Sequence, residues 1–176
     1  MKLAPLMTRR IFINDAIAGG VAGAGAVLVA YVLIQATNTG NGFAGLAGLG
    51  DSLVGAALIS FGVLPFAAIQ AYISLKLSKQ KRTASTAVLM GAGVYAVFAL
   101  LRAAGADMLL LVALTGLLSA FWGAGAGMVT RSAPSHLVAW GAAATATIVS
   151  FGLIGFVAEP IAKAAFAAIS EEYPEN

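Results

Sequence analysis

Residues 76–131 read KLSKQKRTASTAVLMGAGVYAVFALLRAAGADMLLLVALTGLLSAFWGAGAGMVTR, and this stretch decides the fold. It holds two apolar segments, residues 83–101 and 108–129, with basic residues before the first and after the second. A hydrocarbon core about 30 Å thick requires about 20 apolar residues per helix, and both segments reach that length. Because only residues 103–107 follow Arg102 before the second segment begins, we predict an antiparallel pair of membrane-crossing helices.

The same pattern extends over the whole chain of 176 residues. Hydrophobic residues make up 60% of the sequence, charged residues only 10%, and the mean hydropathy is +0.94. Such a chain is too apolar to form a solvated surface and is typical of a membrane protein. We predict an all-α fold, a five-helix transmembrane bundle in a single domain of residues 1–176, with spans at about 17–35, 53–75, 83–101, 108–129 and 137–157 and a short tail at 158–176.

Basic and acidic residues separate to opposite sides of these spans. With the N-terminus on the cytoplasmic side, that side holds eight of the ten basic residues, namely Lys2, Arg9, Arg10, Lys76, Lys79, Lys81, Arg82 and Arg131. Six of the seven acidic residues fall on the other side: Asp51, Asp107, Glu159, Glu171, Glu172 and Glu175. By the positive-inside rule we predict a multi-pass protein of a bacterial cytoplasmic (inner) membrane, with the N-terminus inside and the C-terminus outside.

The basic residues at the membrane surface have more than one interpretation. Arg9, Arg10 and the loop containing Lys76, Lys79, Lys81 and Arg82 are sufficient to orient the chain. The same loop could contact anionic lipid, or it could bind an acidic partner. The net charge of +3 is confined to such flanks, so we predict a lipid bilayer as a partner and no nucleic acid.

Small residues recur at helical spacing in three of the predicted spans. Helices in lipid associate through close backbone approach, and small residues on one face are the signature of that packing. We assign helix packing to Gly19, Gly23, Gly116, Ser119, Gly123, Gly127, Gly141, Gly152 and Gly155, with Thr145 and Ile148 in the same seam of the fifth span. We interpret the seams first as contacts within the chain and second as an interface with another copy or another subunit. Pro65, near the middle of the second span, predicts a kink.

Three segments leave alternatives open. Residues 36–52 contain five glycines and one charge, so they form either a re-entrant or pore-lining segment or an interfacial loop. Residues 160–169 have the pattern of a short interfacial C-terminal helix, and the alternative is a frayed tail. Residues 8–13, TRRIFI, resemble the twin-arginine export signal. A cleaved signal is therefore one interpretation, although paired arginines also orient an uncleaved first helix, which we favour.

The sequence predicts no enzyme. There is no cysteine, and no span has an ionisable residue at its centre, where catalysis or ion coupling would require one. We predict no catalytic residue, no metal site and no cofactor. His136, the only histidine, is a candidate axial cofactor ligand or a lipid-phosphate contact together with Arg131, and otherwise an interfacial residue.

The small-residue seams and the scarcity of charge within the spans favour a non-enzymatic role. We expect an accessory or assembly subunit of a larger membrane complex, or a homo-oligomeric structural protein. The alternative is a small transporter or channel for an ion or small solute. Pro65, the glycine-rich segment and the hydroxyl groups of spans four and five are the features that would support transport.

Overall fold

The chain forms five helices within the residues that its computed structural model describes, which are 4–38, 53–103 and 107–152, with side chains at 9–32, 62–101 and 107–152. The helices are α1 Ala4–Asn38, α2 Leu53–Leu77, α3 Thr83–Ala103, α4 Met108–Ser132 and α5 His136–Gly152. For these residues, the prediction of an all-helical fold with five helices is confirmed. Most of the segment 36–52, the C-terminal segment 160–169 and Gly155 lie outside the described residues.

Three of the helices contain segments long and apolar enough to cross a membrane: Arg9–Val32, Thr83–Leu101 and Met108–Ser132. Gly62–Leu77 and His136–Gly152 are shorter apolar helical segments. These lengths and compositions indicate a membrane protein. α1 begins at Ala4, well before the predicted span 17–35, so Arg9, Arg10 and Asp15 belong to the helix itself.

Local sequence explains where α2 and α3 end and begin. The N–H groups of Lys79 and Gln80 donate to the carbonyls of Lys76 and Leu75, both at 3.0 Å, which is the Schellman pattern that ends a helix. Lys79 has a φ of 53° and occupies the left-handed position that usually belongs to glycine. α3 then begins after Arg82, whose carbonyl accepts from the Thr86 N–H at 3.1 Å.

Side-chain caps begin α4 and α5. Asp107 Oδ1 accepts from the Leu110 N–H at 2.8 Å, and Ser135 Oγ accepts from the Val138 N–H at 3.2 Å. Such N-caps satisfy backbone donors that a helix start leaves unpaired. Between the two helices, Ala133 has an extended ψ of 135° before Pro134, a conformation that ends α4. Pro65 lies inside α2, which is helical on both sides of it.

Helices α1 to α4 pack as a bundle in which α1 contacts α4 and α2, and α3 contacts α2 and α4. α3 is the most buried, and its Met90, Val94 and Tyr95 lie in the core. α5 buries Ala139 and Ala143, and the ring of its Phe151 lies 4.9 Å from that of Tyr95. The opposite side of α5 faces outward.

Candidate functional site

A buried ion pair joins α1 to α4. Asp15 is fully buried, and the Arg131 guanidinium donates to both of its carboxylate oxygens, with Nη1 3.1 Å from Oδ1 and Nη2 in contact with Oδ2. The Arg131 side chain remains 22% exposed, so it connects the buried carboxylate to the outside of the bundle. Two parallel hydrogen bonds between charged groups fix the geometry of such a pair. We call the end of the bundle where Arg131 lies the basic end.

Glycine at position 127 makes room for this pair. A Cβ atom there would overlap Asp15 Oδ2 and would lie 2.5 Å from Arg131 Nη2. Gly127 precedes Arg131 by four residues and therefore lies on the same face of α4.

Sequence reasoning assigned Gly127 to helix packing and assigned Asp15 no role. The sequence signal for Asp15 was a lone acid in an apolar helix. An ionisable residue within a membrane helix usually indicates a functional role.

Small residues bring α1 and α4 into backbone contact. A Cβ atom on Gly19 would lie 2.9 Å from the Gly123 Cα, and one on Gly23 would lie 2.7 Å from the Ser119 Cβ. A Cβ atom on Gly116 would lie 3.3 Å from the Ala24 Cβ. The structure therefore brings together, at the α1–α4 interface, the predicted packing residues Gly19, Gly23, Gly116, Ser119, Gly123 and Gly127.

The seam of α5 behaves differently. A Cβ atom on Gly141 or Gly152 would meet nothing within 4 Å. Both glycines are exposed, as are Thr145 and Ile148, the latter by 71%. Among the described residues, this seam therefore has no packing partner, and the assignment of Gly141 and Gly152 to helix packing stays a prediction. The four-residue step from Gly141 to Thr145 matches that from Gly19 to Gly23, but the face of α5 that turns toward the bundle is the one that buries Ala139 and Ala143.

Arg82 fastens the α2–α3 turn to α4. Its Nη1 donates to the carbonyls of Thr130 and Ala133 at 2.6 and 2.7 Å. These carbonyls lie at the end of α4, where a helix has no internal donors left to pair them. The hydroxyls of Thr86 and Thr130, 2.7 Å apart, reinforce the contact between α3 and α4. Arg82, assigned from sequence to the membrane surface, thus holds two helices together.

An open cleft of about 1030 Å³ lies at the basic end, and we call it the basic cleft. It is lined by Arg10, Ile11, Asn14, Leu77, Ser78, Lys79, Gln80, Lys81, Arg82 and Arg131. Five of these ten residues are cations and none is an acid. Arg131 pairs with Asp15, whereas Arg10, Lys79 and Lys81 form no ion pair with any described residue.

The other predicted surface cations lie apart from this cleft. Arg9 is exposed on α1, and the Lys76 ammonium lies 5.6 Å from the centre of the Tyr72 ring. His136 is exposed at the start of α5. No group of three histidine, aspartate or glutamate residues that could hold a metal occurs in residues 4–38, 53–103 and 107–152.

Polar side chains also lie between the helices. Gln70 Oε1, Thr115 Oγ1 and Ser119 Oγ are buried and have no hydrogen-bond partner among the described residues. The Gln70 amide lies beside Gly25, where a Cβ atom would be 2.8 Å from Nε2. In contrast, Thr147 and Ser150 of α5 donate to the carbonyls of Ala143 and Ala146, four residues earlier. The buried side-chain polar atoms without a described partner therefore lie on α2 and α4.

Comparison of the chain with protein-family models, with curated proteins and with solved structures finds no match. The chemistry available at the basic end is the binding of anions, because its uncommitted groups are guanidinium and ammonium donors. The exposed residues of α5 include Gly141, Thr145 and Gly152, which are small residues of the kind that pack helices in lipid, beside large apolar side chains such as Trp140 and Ile148.

Proposed function

We propose that this protein is a non-enzymatic, multi-pass protein of a cytoplasmic membrane that serves as an accessory or assembly subunit of a larger membrane complex. The observation that supports this proposal is the exposed seam of Gly141, Thr145, Ile148 and Gly152 on α5. In lipid, an exposed small-residue face allows a second helix to approach closely, and van der Waals packing then stabilises the pair. The proposed occupant is a transmembrane helix of another subunit.

The α1–α4 interface supports this interpretation of α5. There the same four-residue spacing of small residues brings two backbones together, with Gly19 against Gly123. α5 repeats the spacing but turns it away from the other described helices of the chain. Thr145, within the exposed seam, adds a hydroxyl that can donate across a helix–helix interface, where measured gains average about 0.6 kcal/mol.

Electrophoresis under native conditions tests the subunit role. Membranes solubilised in a mild detergent should contain the chain in a species larger than the monomer. Gly141→Leu and Gly152→Leu should convert that species to the monomer, because a bulky side chain blocks close approach. Gly62→Leu is the matched control, since Gly62 is an exposed glycine of α2 with nothing within 4 Å of an added Cβ.

Two outcomes would contradict the proposal. The wild-type chain could migrate as a monomer at every detergent concentration, or Gly62→Leu could disrupt the larger species as strongly as the α5 variants. Mass spectrometry of the isolated species identifies its other components. If the species contains this chain alone, the partner is a second copy of the chain, and the α5 face forms a homo-oligomer instead of binding another subunit.

A second candidate function, transport of an ion or small solute, is favoured by the buried polar atoms of Gln70, Thr115 and Ser119. Polar groups that line a path through a bundle replace the hydration of a permeating solute. Proteoliposomes containing the purified chain should then show flux that falls in Gln70→Leu. Substitution of Thr147, whose hydroxyl is already bonded to the Ala143 carbonyl, is the control. Absence of flux for every ion and small solute tested would exclude this candidate.

A further inference from the structure

We propose that the basic cleft is a binding site for a phosphate group. Segments far apart in the sequence meet around it: Arg10 and Asn14 come from α1, residues 77–82 from the end of α2 and the following turn, and Arg131 from α4. This inference goes beyond the proposed subunit role and does not depend on it.

The charges around the cleft favour an anion. The acidic residues of the described chain are Asp15 and Asp107, and Asp107 lies at the start of α4, at the other end of the helix from Arg131. Asp15 is committed to Arg131. The remaining cations of the cleft therefore repel one another, and an anion placed among them would relieve that repulsion.

The framework of the cleft is held in place before any ligand binds. Arg82 ties the turn to the Thr130 and Ala133 carbonyls, and the Schellman bonds of Lys79 and Gln80 close the end of α2. The buried Asp15 carboxylate orients the Arg131 guanidinium by accepting its hydrogen bonds. A preorganised site loses less conformational freedom when it binds a ligand than a flexible basic loop would lose.

The residue types fit a phosphate group, whose several oxygens can accept from guanidinium, ammonium and neutral donors at the same time. Guanidinium groups bind phosphate oxygens through two parallel hydrogen bonds, and lysine ammonium groups add point charges. Asn14, Ser78 and Gln80 supply neutral donors in the same lining. Ile11 and Leu77, the latter 80% exposed, add an apolar surface beside the cations. The phosphate could belong to the headgroup of an anionic phospholipid or to a soluble phosphate compound.

Binding by the purified full-length chain, in a neutral detergent, tests the proposal with two probes. Native mass spectrometry measures retention of phosphatidylglycerol against phosphatidylcholine, and equilibrium dialysis measures binding of inorganic pyrophosphate. The cleft variant is Arg10→Gln with Lys81→Gln. Its matched control is Arg9→Gln with Lys76→Gln, which removes the same charge from the same two regions of sequence without altering the lining.

We expect the cleft variant to bind at least one probe at least tenfold more weakly than the wild type, whereas the control should change binding less than twofold. Selective retention of phosphatidylglycerol identifies a lipid headgroup, and selective binding of pyrophosphate identifies a soluble ligand. Equal losses in the two variants would overturn the proposal in favour of nonspecific attraction, as would failure of the wild type to bind either probe. Arg10→Lys with Lys81→Arg should retain binding, which separates lost charge from lost folding.

Discussion

The interaction between Asp15 and Arg131 connects residues 116 positions apart. Hydropathy places Asp15 just before the first predicted span and Arg131 just after the fourth, so each looks like an ordinary flanking charge. In the structure each is the other's partner, and Asp15 is fully buried. A buried charge is tolerated only when it is paired. Loss of either partner would therefore destabilise the bundle, even though an intact buried pair can contribute little net stability.

Removal of the Asp15 charge should destabilise the protein strongly. Asp15→Asn leaves the Arg131 guanidinium facing a neutral amide, and we expect unfolding to require about 3 kcal/mol less free energy. Circular dichroism during thermal or denaturant unfolding in detergent measures the loss. Asp107→Asn is the control, because Asp107 is exposed and asparagine caps a helix as well as aspartate. Equal losses in the two variants would contradict the role of the ion pair.

The backbone conformation of Lys79 makes a second prediction at the residue scale. A left-handed conformation costs about 1–2 kcal/mol for a residue with a Cβ atom, so Lys79→Gly should stabilise the folded chain by about 1 kcal/mol. Lys81→Gly, at a position without a positive φ, should give no such gain. Unfolding curves of the two variants make the comparison. A destabilised Lys79→Gly would show that the lysine side chain contributes more than its conformation costs.

Helix packing decides which small residues matter at the scale of elements. The sequence patterns of α1, α4 and α5 are alike, and in the structure the small residues Gly19 and Gly123 lie where two backbones approach closely. The patterns do not reveal that α5 turns its glycines outward. The rotation of α5 about its axis determines which residues face the bundle, and in the structure these are Ala139 and Ala143. The sequence does not indicate this rotation, because every face of so apolar a helix is compatible with either protein or lipid.

Substitution of one glycine in the α1–α4 seam should loosen the bundle. A Cβ atom on Gly19 would press on the Gly123 backbone, which cannot move as a side chain can, so Gly19→Ala should destabilise the protein by about 2 kcal/mol. Gly125→Ala is the control, because Gly125 of α4 has nothing within 4 Å of an added Cβ. Alanine is the better helix former there and should be neutral or slightly stabilising. A neutral Gly19→Ala would argue against this close crossing.

The distribution of charge makes a prediction for the whole molecule. We expect the α2–α3 turn to face the cytoplasm and the connection 104–106 to face the opposite side. Because the chain has no cysteine, Ser78→Cys and Ala106→Cys each introduce a single reactive thiol. In intact cells, a membrane-impermeant thiol reagent should label Ala106→Cys and leave Ser78→Cys unlabelled. Labelling of both after lysis confirms that each thiol is accessible, and the reverse pattern in intact cells would invert the proposed orientation.

Composition, apolar segment lengths and the placement of charge determined from sequence alone that the chain is helical and suited to a membrane. These properties are local, since each segment of about 20 residues carries its own hydropathy and its own backbone hydrogen bonds. Only the tertiary structure decided that Asp15 meets Arg131, that Arg82 ties a turn to α4, that a basic cleft forms and that the α5 seam is exposed. Those features depend on how the packed helices rotate and cross. Small residues permit several such arrangements, and no single segment of the sequence encodes which one forms.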